Sequence, residues 1–64
     1  MDEFKRKTIR EFSDRRNMLY DRLARANAAG IKDTAVVART VIQELDFLSH
    51  KLGIFEEVAK ETAE

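Results

Sequence analysis

A short run of polar side chains in the second half of the chain contains the residue types that could do chemistry. Gln43, Glu44 and Asp46 supply one amide and two carboxylates. Gln43, Asp46, Phe47 and His50 lie three or four positions apart, so on a helix they share one side. Two interpretations of this side are open: it is a solvated helix face, or it is presented to a partner protein.

The sequence lacks the other common catalytic patterns. It contains no glycine-rich phosphate loop, no HExxH pattern and no spacing that supports a Ser-His-Asp arrangement. It has no cysteine and only one histidine, His50, so we expect no metal site and no cofactor of its own. A chain of 64 residues forms one small domain without a deep pocket. Any chemistry would therefore be completed on the surface of another protein.

The elements that position these residues are predicted to be helices. The chain has no proline and two glycines, which favours an all-α fold. A first helix is expected over about residues 2–28. Its apolar stripe has spacings of three and four and contains Arg16, which either extends its head into water at the margin or meets an acidic residue of the second helix. The stripe consists of Ile9, Phe12, Arg16, Leu19, Leu23 and Ala26.

A turn is predicted at residues 29–33. Gly30 can adopt the left-handed conformation that ends a helix, with Ile31 behind it as an apolar contact. Asp33 or Thr34 is expected to cap the next helix. Because the connection is short, the two helices are predicted to form an antiparallel hairpin.

The second helix is predicted to run from about residue 34 to residue 62, with a weak point at Gly53. Its stripe keeps a three-four spacing across that glycine, which indicates one continuous helix. The competing interpretation ends the helix at Leu52, with Gly53 as its cap, and adds a third turn or helix. The predicted stripe consists of Ala38, Val41, Leu45, Leu48, Leu52, Phe55 and Ala59.

Folding the chain at Gly30 predicts which residues of the two helices lie opposite each other. Arg16 is placed opposite Leu45, beside the level of Glu44 and Asp46. Several apolar residues do not fit one two-helix seam, and such residues usually mark an interface. A homodimer that buries them as a four-helix bundle is the simplest expectation, and a different protein partner is the alternative. These residues are Met18, Tyr20, Val37, Ile42 and Phe47.

Charge restricts the class of partner. The chain has 12 basic and 12 acidic residues, with a net of +3 over residues 1–29 and −3 over residues 30–64. Balanced charge disfavours nucleic acid, although Arg15, Arg22 and Arg25 could contact RNA phosphates. Because no apolar run reaches the roughly 20 residues of a membrane span, we expect a soluble, cytoplasmic protein.

The order of these residues resembles a known family. Gln43-Glu44-Leu45-Asp46 after a Gly30-Ile31 turn is similar to the Ser-Gln-Glu-Leu-Asp signature of the stage-zero sporulation regulatory family of aspartyl-phosphate phosphatases. The similarity covers about residues 9–52. Ile42 stands in the place of the signature serine, and the spacing from Gly30 to Gln43 is longer than in the family.

The resemblance implies a function. The protein would be a negative regulator that removes the phosphoryl group from the aspartate of a response regulator, which would supply the Mg²⁺. Gln43 would orient the attacking water, and Glu44 or Asp46 would assist it or bind the partner. The expected partner-binding residues are Arg39, Ile42, Phe47 and His50. The alternative function is a non-enzymatic helical module that binds or inhibits another protein.

Overall fold

The computed structural model describes residues 2–62 and confirms that this part of the chain is all-helical. Its three helices are α1 (Glu3–Ala29), α2 (Lys32–Lys51) and α3 (Phe55–Glu61). The molecule measures 42 × 19 × 14 Å, so its long dimension is close to the length of α1 alone. The predicted domain covered residues 1–64, of which residues 1, 63 and 64 lie outside the described part.

Both ends of α1 are closed by local hydrogen bonds. Asp2 is the N-cap, and its Oδ1 accepts a 2.7 Å hydrogen bond from the Lys5 amide. Gly30 has φ +72°, and the Ile31 amide donates back to the Ala26 carbonyl at 2.9 Å. This is the left-handed glycine stop that the sequence predicts.

The predicted cap of α2 is wrong. Ile31 occupies the N-cap position and makes no side-chain capping bond. Asp33 and Thr34 already lie inside the helix, because the chain resumes helical geometry two residues after α1 ends. Asp33 instead places a negative charge in the first turn, where the helix dipole favours it.

The prediction of one continuous helix to about residue 62 is also wrong. Gly53 has φ +72°, and the Ile54 amide donates to the Ser49 carbonyl at 2.9 Å, so α2 stops at Lys51. The chain changes direction there and begins α3, as the competing interpretation allowed. Ile54 and Val58 are buried against Ile9, with Phe12 packed beside them. This cluster gives Ile9 and Phe12 apolar partners from the last part of the chain.

The buried side of α1 follows the predicted stripe, whereas that of α2 follows it only at Ala38 and, in part, at Leu45. Ile9, Arg16, Leu19 and Ala26 are buried, and Phe12 and Leu23 are half-buried. On α2, Val41, Leu48 and Leu52 were predicted to face α1 but are exposed. The side of α2 that is buried lies next to the predicted stripe and carries mostly small residues. The buried residues of α2 are Ala35, Ala38, Ile42 and Ser49.

Candidate functional site

An ion pair between α1 and α2 forms the centre of the candidate site. Arg16 Nε lies 2.9 Å from Asp46 Oδ1, and Nη2 lies 3.4 Å from Oδ2. The side chains are only 8% and 25% exposed. Arg16 therefore meets an acidic residue of α2, which was the second of the two explanations for its place in the stripe. A two-point contact of this kind fixes the orientation of the carboxylate as well as its position.

Aromatic rings from two elements flank the guanidinium group. Its carbon atom lies 5.1 Å from the centre of the Tyr20 ring and 5.7 Å from that of Phe55. Both distances are within the range of cation–π attraction. Phe55 also stacks on His50, with ring centres 4.0 Å apart and ring planes 15° apart. The site is thus built from α1, α2 and the start of α3.

A second set of polar contacts holds the last turns of α2 and α3. The Ser49 hydroxyl, which is fully buried, donates to the Asp46 carbonyl at 2.8 Å. Ser13 Oγ of α1 donates to the Arg10 carbonyl at 3.0 Å and lies 3.2 Å from Glu61 Oε2 of α3. These bonds satisfy hydroxyl groups that would be costly to bury alone.

The predicted partner-binding residues divide into exposed and buried ones. Arg39, Gln43, Phe47 and His50 are exposed and lie at helical spacings of three and four, so they form one side of α2, which we call the outer face. Lys51 lies beside it, with its ammonium group 5.5 Å from the Phe47 ring centre. Ile42 was also expected to bind the partner, but its side chain is buried and inaccessible, and that prediction is wrong.

The three predicted catalytic residues do not converge. Gln43 points outward and is exposed, whereas both carboxylate oxygens of Asp46 are engaged by Arg16. Glu44 follows Gln43 directly, so it lies about 100° further around the helix, on the side of Leu48. The arrangement presents one amide beside an oriented carboxylate. Glu44 belongs to a different surface.

The surroundings of the site are open. A shallow depression beside the outer face is lined by His50, Gly53, Phe55, Glu56 and Glu57. Across residues 2–62, no group of three or more His, Asp or Glu side chains is placed to hold a metal ion. None of the helices in the described part has the length and apolar character needed to cross a bilayer.

Sequence reasoning missed the role of the two aromatic rings and of Ser49. Tyr20 was assigned to an interface and Phe55 to a continuous stripe, but both lie against Arg16. The signal for Tyr20 was available, because it stands four residues after Arg16 on the same side of α1. Phe55 could not be placed without the turn at Gly53.

Comparison with known proteins adds no relative. No family model, no curated protein and no solved structure matches this chain.

Proposed function

We propose that this protein is a helical protein-interaction module that binds its partner through the outer face of α2. The observation that carries this proposal is the exposure of Phe47, 57% of which is accessible to solvent between the polar residues Gln43 and His50. A large exposed aromatic residue surrounded by polar groups is typical of a contact site. The ion pair between Arg16 and Asp46 supports the role, because it holds α2 rigidly against α1 beneath this face.

The proposal includes the finer architecture expected from the sequence. We propose that α1 and α2 form an antiparallel hairpin and that two copies of the chain associate as a four-helix bundle. We also propose that the protein works in the cytoplasm. The two-residue connection and the ion pair between residues 16 and 46 support the hairpin. Exposed large apolar side chains on α2 support the dimer.

Matched variants of exposed residues test the binding face. Phe47→Ser is expected to abolish capture of a partner from native extract, with bound proteins identified by mass spectrometry. Phe4→Ser is the control, because Phe4 is also an exposed phenylalanine but belongs to α1 rather than to the outer face of α2. Equal capture by Phe47→Ser and the unchanged protein would exclude the outer face as the binding site.

A second candidate function is dephosphorylation of a response regulator, as the resemblance implies. The observation that favours it is that Asp46 is oriented by Arg16 while the exposed amide of Gln43 lies one turn away. An amide can position a water molecule for attack on a phosphoryl group, a reaction that depends on positioning and charge stabilisation. The response regulator would supply the Mg²⁺ and the phosphorylated aspartate.

This second candidate is tested with purified receiver domains that carry a radiolabelled phosphoryl group. The unchanged protein is expected to accelerate label loss from at least one receiver, and Gln43→Ala to lose that acceleration while its helical circular dichroism spectrum is retained. If Gln43→Ala accelerates label loss as well as the unchanged protein, Gln43 does not act on the phosphoryl group. Binding without accelerated loss would leave the interaction module as the function.

A further inference from the structure

A second apolar stripe runs along α2, separate from the side that packs on α1. Val37, Val41, Leu48 and Leu52 are between 43% and 62% exposed. They follow one another at spacings of four, seven and four residues, so they lie on one side of the helix. Leu45 lies between them and is half-buried. We call these four exposed residues the lateral stripe.

The lateral stripe lies on the opposite side of the α1–α2 seam from α3. The side chain of His50, which contacts Phe55 of α3, projects about 160° around α2 from Leu48. The stripe instead borders a shallow groove lined in part by Leu19, Arg22, Val37 and Val41. No described element covers it, and it is distinct from the outer face around Phe47.

The order of residues in the stripe is symmetric about its centre. The spacings read four, seven, four from either end, with valine in the first half and leucine in the second. A helix of this pattern matches an antiparallel copy of itself, because each valine then lies opposite a leucine and the midpoint falls at residues 44 and 45. Contacts that exchange in this way are those of an isologous twofold interface. A different partner would not require the symmetry.

We propose that a second copy of this chain covers the lateral stripe, with the two α2 helices antiparallel. Val37 then packs against Leu52 of the partner subunit, and Val41 against Leu48 of the partner subunit. Leu45 lies near the twofold axis. This inference rests on the homodimer in the proposed function and assigns its surface, and it is independent of any phosphatase activity.

The area of the stripe sets the strength of the association. About half of the surface of eight aliphatic side chains is covered in the dimer, on the order of 700 Å² of apolar surface, which lies below the 1,200–2,000 Å² of stable interfaces. Contacts of neighbouring polar side chains add to it. The dimer is therefore weak, and its population depends on protein concentration in the micromolar range or above.

A matched pair of valine-to-glutamate substitutions tests the face. The measurement is sedimentation equilibrium over a concentration series, with circular dichroism to show that helix content is retained. Val41→Glu is expected to raise the dimer dissociation constant at least about tenfold, because it places a charge in the apolar contact. Val36→Glu, also on an exposed site of α2 but outside the stripe, is expected to change it less than about twofold.

The outcomes distinguish the existence of the homodimer from the face assigned to it. If the unchanged protein is monomeric at every concentration, both the homodimer and the assigned face are wrong. If it dimerises and Val41→Glu dimerises equally well, only the assigned face is wrong.

Cysteine cross-linking tests the antiparallel arrangement in this cysteine-free chain. In that arrangement Val41→Cys lies opposite Leu48→Cys, but about 10 Å along the axis from its own equivalent, beyond the Cα separation that a disulfide spans. An oxidised mixture of the two variants is expected to form at least about fivefold more covalent dimer than either variant alone. Efficient cross-linking of each variant to itself would indicate parallel helices and contradict the proposal.

Discussion

At the scale of single residues, Arg16 links all three helices. It forms an ion pair with Asp46 of α2 and lies against the rings of Tyr20 of α1 and Phe55 of α3. Its charge is compensated where it is buried, so a residue that is unusual in an apolar stripe becomes a specific contact. Because the bond has a defined direction, it also fixes the register of α1 against α2.

Replacing Arg16 by alanine is expected to lower the free energy of unfolding by about 2–3 kcal/mol, because Asp46 loses its partner in a largely buried position. Urea denaturation followed by circular dichroism measures this difference. The control is Arg25→Ala, which removes an exposed ion pair with Asp21 and is expected to cost less than about 0.5 kcal/mol. Equal losses of unfolding free energy in the two variants would show that the Arg16 contact stabilises the fold no more than an exposed ion pair does.

At the scale of elements, the turn at Gly53 decides how the last third of the chain packs. The left-handed glycine ends α2 and turns the chain so that Ile54 and Val58 reach Ile9. On a continuous helix, positions 54 and 58 would lie more than 100° around the axis from the buried residue Ile42. The predicted stripe continued through Phe55 and Ala59. In the structure the fully buried residues of this segment are Ile54 and Val58 instead.

Gly53→Ala distinguishes the two conformations of this segment. The site has room for a Cβ atom, but its φ of +72° is unfavourable for alanine, so we expect a loss of about 1 kcal/mol of stability. A continuous helix would instead gain up to about 1 kcal/mol from the same change. Thermal unfolding monitored by circular dichroism gives the sign, and a higher melting temperature for the variant would contradict the structure.

The comparison of α1 with α2 explains how much of the fold could be predicted. One stripe of α1 contains large apolar residues together with Arg16, so periodicity identified the buried side of this helix. On α2 two stripes compete, and the larger residues Val41, Leu48 and Leu52 favoured the wrong one. The buried stripe is rich in alanine and serine, whose burial depends on close contact with α1. Helical periodicity cannot choose between two stripes on one helix.

The candidate site was predictable to a similar extent. The residues of the outer face could be grouped by spacing alone, because Gln43, Phe47 and His50 share one side of any helix. The separation of Glu44 from this group follows from the same geometry. The burial of Ile42 and the choice of Asp46 over Glu44 as the partner of Arg16 could not be predicted, since both depend on the side of α2 that faces α1.

At the scale of the whole molecule, α2 presents three different surfaces. One packs on α1, the outer face carries Gln43 and Phe47, and the lateral stripe carries exposed valine and leucine residues. A small domain buries little apolar surface by itself, so association adds stability that the single chain lacks. In our account, the lateral stripe supplies that association and the outer face remains available to a partner protein.

Nuclear magnetic resonance of the isotopically labelled protein tests this division most directly. Two-dimensional spectra are recorded at low micromolar and at millimolar concentrations. We predict concentration-dependent shifts at Val37, Val41, Leu48 and Leu52, with Gln43 and Phe47 unchanged. Shifts centred on Phe47, or identical spectra at both concentrations, would contradict the account.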